Sequence, residues 1–241
     1  MKFKISVALV ALFVVISACK KTTVFNGAKI NTLNDFVHGY SASFTYNENG
    51  TINTIVKTNG IKQQVYYSGD TVTVATLNGV GQTTSADIYV LNGSGYAASW
   101  QGEFVDQHNS GAYSYDGNGN VTQSLIYSNH VLASTDNYTN NSAKNAVEIQ
   151  HINASTGVTT YDYLEYLNSN GNTVGVQNMG QYYLGVSSAN LKATDVQIGQ
   201  QGDTVDVISY RYRYNGSSDV DTLVSYHKNG TLADSITYIY F

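Results

Sequence analysis

Tyr46-Asn47-Glu48-Asn49-Gly50-Thr51-Ile52 decides the fold class of this chain. An aromatic residue leads through a short polar stretch into Asn-Gly, and an aliphatic residue follows one position later. Asn-Gly between alternating segments is the strongest short-range signal of a β-hairpin, because both residues accept the positive φ of a tight turn. The pattern returns as Tyr115-Asp116-Gly117-Asn118-Gly119-Asn120-Val121 and as Tyr226-His227-Lys228-Asn229-Gly230-Thr231-Leu232. A looser copy runs from Leu167 through Asn170-Gly171 to Val174, and Leu91-Asn92-Gly93-Ser94-Gly95-Tyr96 is a degenerate relative. Hairpins are therefore expected at 49–50, 118–119, 170–171 and 229–230.

Outward from these turns the chain alternates with period two. Val72, Val74 and Thr76 interleave with Thr71, Thr73 and Ala75; Ile208, Tyr210, Tyr212 and Tyr214 interleave with Ser209, Arg211 and Arg213. Such alternation sends the tyrosines to one face of a strand and the arginines to the other. About a dozen strands emerge, and no helix-period run follows residue 20. The Asn/Ser/Gly-rich stretches 134–144 and 180–200 read as long loops, with a helical turn near 187–191. The fold class is all-β: a single curved antiparallel meander sheet, open or half-barrel-like.

Composition agrees. Charged residues make up only 12% of the chain, proline is absent, and tyrosine reaches 21 against 7 Phe and 1 Trp. Tyr covers apolar area while its hydroxyl stays wet, which suits half-buried sheet faces. With a single cysteine no disulfide can form within the chain, so stability rests on sheet ladders and cross-strand pairs. A formal charge of −5 disfavours nucleic acid as a partner.

The N-terminus reads as an address. Lys2 and Lys4 precede an apolar run at 5–16 that is too short to span a bilayer. Ile16-Ser17-Ala18-Cys19 resembles a lipobox, which implies cleavage before Cys19 and lipidation of its thiol. Lys20 follows where Asp would favour inner-membrane retention, so the expected location is the outer membrane of a bacterial envelope. The expected organisation is a signal peptide over 1–18, a lipid-anchored tether over 19–35 and a β-hairpin repeat domain over 36–241.

The hairpin unit also resembles the tyrosine/aspartate (YD) repeat of Rhs-type proteins, and a group of bacterial lipoproteins of unknown function built from the same units. In that group a Leu-Gly…Ser-x-Asn-Leu segment precedes a final Tyr-rich hairpin, as Leu184-Gly185-Val186-Ser187-Ser188-Ala189-Asn190-Leu191 does here. The turns are irregularly spaced, and the Arg usual after the turn Gly is absent. A closed Rhs-type shell needs many more repeats, which favours an open sheet. The resemblance transfers no catalytic residue.

Signatures of chemistry are missing. Asp116-Gly117-Asn118-Gly119-Asn120 imitates the opening of a calcium loop, but Val121 stands where that loop needs Gly and Tyr127 where it needs Glu. The 5 histidines have no metal-ligand spacing, and there is no nucleophile elbow or Walker loop. Trp100 and the tyrosines Tyr210, Tyr212, Tyr214, Tyr238 and Tyr240 form a candidate ligand surface for stacking against a sugar. Their alternative role is packing. Asp70-Thr71-Val72, Asp203-Thr204-Val205, Asp221-Thr222-Leu223 and Asp234-Ser235-Ile236 match an O-glycosylation motif and also match the ordinary start of a strand. The sequence thus points to a lipid-anchored envelope protein that binds or scaffolds and is not an enzyme, with no cofactor and no metal. Its partners are the membrane, through the anchor, and a glycan, peptide or envelope protein. An acyl-chain carrier is the alternative, with the curved sheet closing round an apolar cavity.

Overall fold

The computed structural model describes residues 27–104 and 107–241. Within them run β1 (Ile30–Asp35), β2 (Tyr40–Tyr46), β3 (Ile52–Lys57), β4 (Lys62–Ser68), β5 (Thr71–Leu77), β6 (Thr83–Leu91), β7 (Ala97–Phe104) and β8 (Gln107–Tyr115). The second half adds β9 (Val121–Ser128), β10 (Val131–Asn140), β11 (Ala146–Asn153), β12 (Thr159–Gly171), β13 (Asn190–Ile198), β14 (Thr204–Tyr214), β15 (Val220–Tyr226) and β16 (Leu232–Tyr240). Each strand pairs antiparallel with its chain neighbours, and β16 pairs with β1 through Ile30↔Tyr240 to Asp35↔Ile236. The sheet therefore closes into a barrel of sixteen strands. This corrects the expectation of an open meander of about a dozen strands: closure removes both edges, and it recruits β1 from the segment expected to be tether.

The turns explain the repeat. Nine described connections share one hydrogen-bond pattern, seen at Asn47–Thr51: the first N–H donates to the fifth carbonyl, and the fourth N–H donates back to the first. That is a type I turn followed by a left-handed residue with a bulge, a frequent three-residue hairpin. The left-handed position holds Gly50, Gly119 and Gly230 in the quoted units, with φ between 81° and 87°. Asn49 is not left-handed; its Oδ1 accepts from the Thr51 N–H at 3.1 Å. Elsewhere the clamp moves to the first residue, as where Asp116 Oδ1 accepts from the N–H groups of Asn118 and Asn120. Asp116 thus serves the turn. Asn170-Gly171 caps no hairpin: Gly171 ends β12 and pairs with Asn190. The stretches expected as loops also contribute β10 and β13, and the short 3-10 turn falls at Tyr182–Leu184.

The β12–β13 connection, 172–189, closes one end of the barrel. Asn178 O accepts from Ile30 N–H, Gly180 O accepts from Ile52 N–H, and Val186 N–H donates to Gly119 O. Tyr183 is buried inside, its ring 5.0 Å from that of Tyr89, in a core with Ile30, Phe44, Ile52, Val72, Leu191 and Val220. The N-terminus of β1 and the C-terminus of β16 lie at this plugged end. The β1–β2, β3–β4 and β15–β16 turns lie at the other.

Candidate functional site: the barrel lumen

Directly paired residues of neighbouring strands share a face, so facing can be followed round the ring. From buried Ala42 the inner face passes through Lys57 and, along β3–β6, through Val65, Val74 and Asp87. It continues through Gly102, Gly111, Ile126, Asp136, His151 and Asp162. Asp195, Tyr210, Asp234, Ile236 and Leu33 complete it, and Leu33 pairs with Ala42 again. The inner face thus runs unbroken round the ring.

The outer face is polar. Gln123, Asn137, Gln150 and Tyr161 join β9 to β12 in one ladder of hydrogen bonds of 2.9, 2.9 and 3.0 Å. Thr45 meets Thr54 at 2.6 Å, and Asn34 meets Thr237 at 3.3 Å. Arg211 and Arg213 point outward, Arg213 to an ion pair with Asp221 at 2.7 Å. Exposed apolar side chains such as Val56, Val90 and Ile239 are scattered among these groups.

Inside, chemistry is sorted along the barrel axis. The strands descending from the open end begin with inward polar residues and finish in tyrosine, as Asp162, Leu164, Tyr166 do in β12 and Asp206, Ile208, Tyr210 in β14. Near the plug, tyrosine hydroxyls donate to backbone carbonyls at or near the start of the preceding strand. Tyr67 reaches Ile52 O at 3.1 Å, Tyr115 reaches Ala97 O at 3.0 Å and Tyr166 reaches Ala146 O at 2.7 Å. Tyr212 reaches Lys192 O at 2.9 Å, Tyr240 reaches Val220 O at 2.8 Å, and Tyr46 does the same with Ile30 O. Burial pushes these phenols up, that of Tyr240 to about 12.

Towards the open end the wall is acidic. His151 sits between Asp136 (2.8 Å) and Asp162 (3.1 Å), one on each neighbouring strand. Burial alone would lower the His151 pKa, but the two carboxylate hydrogen bonds outweigh it and hold it above the ordinary value. Asp206 is bonded by His227, which draws its pKa down. At the rim, ligand atoms of Asp35, His38 and Asp234 all lie within 4.8 Å of one another, the one described trio spaced for a metal ion. Lys57 lies 5.9 Å from the Tyr40 ring centre, and its charge opposes the upward push of burial on Asp87.

The structure places every described residue of the candidate ligand surface inside the barrel. Trp100 lies against Gly102 and Gly111; a Cβ on Gly111 would fall 2.1 Å from the indole nitrogen. Tyr210, Tyr212, Tyr214, Tyr238 and Tyr240 share one inner wall, Tyr238 buried and Tyr212 and Tyr240 tied to carbonyls. Cys19 lies outside the described residues. Sequence reasoning missed the aspartates, although their signal was present: Asp87, Asp136, Asp162, Asp206 and Asp234 each stand two residues before an aliphatic or Tyr, in the parity of the inner face.

Comparison with solved structures supports the architecture. The chain is similar to a porin-like protein from Bacteroides uniformis, with a TM-score of 0.66 at 14% identity over 92% of this chain and 100% of that one. A porin-like protein from Bacteroides vulgatus matches with a TM-score of 0.63 at 14% identity, over 88% of this chain and 99% of that one. No family model matches the sequence, and no curated protein does. At this identity the likeness shows the fold alone: an antiparallel sheet closed into a barrel.

Proposed function

We propose that this chain is a lipid-anchored barrel of the bacterial envelope that stands in water at the membrane surface and offers its lumen as a binding receptacle. The observation that carries the reading is the outer wall. A barrel that crosses a bilayer needs an unbroken apolar outward band. Here the amide ladder Gln123–Asn137–Gln150 and the two arginines of β14 occupy that wall. In hydrocarbon each such group would cost several kcal/mol. Lipid on Cys19 would tether the barrel at its plugged end, since β1 starts there, and would turn the open end away from the membrane.

The lumen suits binding. Both ring nitrogens of His151 face carboxylates, so its imidazole has no free lone pair to act as a base. Acyl carriage suits this lumen poorly, because its open half is lined by Asp and His.

The test is extraction and labelling. The native protein is expected to incorporate labelled palmitate and to partition into detergent, while Cys19→Ala is expected in the soluble periplasmic fraction with an unchanged melting temperature. A Cys19→Ala protein that stays in the membrane after carbonate washing would show that the barrel itself inserts.

A further inference from the structure

We infer that the inner wall formed by β12, β13 and β14 is a binding site for the ammonium group of a linear aliphatic polyamine, centred on Asp195 and Asp162. The inference rests on the reading of the lumen as a binding receptacle. Asp195 carries it. Its side chain is only 8% exposed, its Oδ2 lies 3.5 Å from Lys192 Nζ, and its Oδ1 is buried with no hydrogen-bond partner among the described residues. A buried carboxylate oxygen without a donor is costly, and a donor brought in by a ligand removes that cost.

The protein's own side chains show which donor fits. The Lys192 ammonium rests on Asp195 while lying 5.7 Å from the centre of the Tyr210 ring. A carboxylate joined to an aromatic face is the environment that holds alkylammonium groups. Lys192 remains 40% exposed at the lumen surface, so it can swing aside and leave its place to a ligand amine. Asp162 is the second carboxylate of this wall: Asp162 pairs with Gln197 and its near neighbour Leu164 pairs with Asp195. His151, at 37% exposure, shows that water reaches this wall.

Charge count favours more than one ammonium. The inner wall carries Asp35, Asp87, Asp136, Asp162, Asp195, Asp206 and Asp234, against Lys57 and Lys192 as permanent cations. A concave wall of one sign concentrates the opposite charge. A divalent metal suits this wall less well, because it needs several oxygens converging at about 2.3–2.6 Å, and among the described residues no three ligand groups converge about Asp195.

Calorimetric titration of the purified protein with spermidine tests this. Saturable binding is expected, weakened by about tenfold or more in Asp195→Asn and in Asp162→Asn. Lys192→Met removes the internal competitor and is expected to tighten binding several-fold, a gain that a merely damaged fold would not give. Circular dichroism melts establish that each variant is folded. The inference is overturned if spermidine gives no saturable heat at millimolar concentration with either the native protein or Lys192→Met. It is equally overturned if Asp195→Asn binds as well as the native protein, or if magnesium at equal charge displaces spermidine completely, which would show diffuse counterion attraction only. None of these outcomes bears on the lipid anchor, which palmitate labelling tests separately.

Discussion

Tyrosine is abundant here because its hydroxyl finishes what each strand leaves undone. A strand that starts beside the plug has a carbonyl beyond the reach of the regular ladder, and a buried carbonyl needs a donor. The Tyr ring fills the narrow end of the lumen and its hydroxyl supplies that donor, as Tyr212 does for Lys192 O at 2.9 Å. Asn140 performs the same task for Val121 O at 2.9 Å where β10 ends without tyrosine. Tyr212→Phe keeps the ring and removes only the bond. It is expected to cost about 1 kcal/mol, read as a fall in melting temperature of about 2–4 °C. Tyr163→Phe, on the outer face, is the control and is expected to leave the melt unchanged. Sequence alone showed the tyrosines and their shared face, but the hydroxyl's partner lies some twenty residues back on another strand and leaves no local mark.

At the scale of elements, the turn grammar was legible and three strands, β1, β10 and β13, were not. Asn-Gly units announce hairpins because a left-handed residue is required at a fixed place, and Gly50, Gly119 and Gly230 occupy it. β10 escaped notice because its inward residues, Ser134, Asp136, Tyr138 and Asn140, are nearly as polar as its outward ones. A strand whose inner face meets a wet lumen loses the apolar alternation that betrays most strands. β1 escaped for another reason: a register shift between Ile30 and Thr32 interrupts its period. The same grammar predicts where stability can be gained. Ser218 holds the left-handed position of its turn at φ 67°, a conformation that costs a residue with a Cβ about 1–2 kcal/mol. Allowing for the greater freedom of glycine in the unfolded chain, Ser218→Gly is expected to stabilise by about 0.5–1 kcal/mol in denaturant titration. The reverse change, Gly230→Ala, is expected to destabilise by a similar amount.

At the scale of the whole molecule, closure was invisible in the sequence because alternation fixes the faces of strands and says nothing of which strands meet. Ile30 and Tyr240 pair across almost the entire chain, and no local pattern encodes that contact. Closure nevertheless has a strict consequence. An antiparallel barrel needs an even number of strands, since each neighbour must run the opposite way. Deleting 232–241 removes β16 and leaves β15 and β1, which run in the same direction, facing each other across the gap; two open edges result. That truncation is expected to be insoluble or rapidly digested by protease. Deleting 121–145 removes more chain, yet it takes out β9 and β10 together and joins the Asp116–Asn120 turn to β11, which then runs antiparallel to β8. The shorter barrel can reclose, so this larger deletion is expected to stay soluble and fold with a lowered melting temperature. Limited proteolysis and gel filtration of the two proteins decide the matter. A soluble, protease-resistant monomer after loss of 232–241, together with aggregation after loss of 121–145, would show that local contacts and not ring closure hold the molecule together.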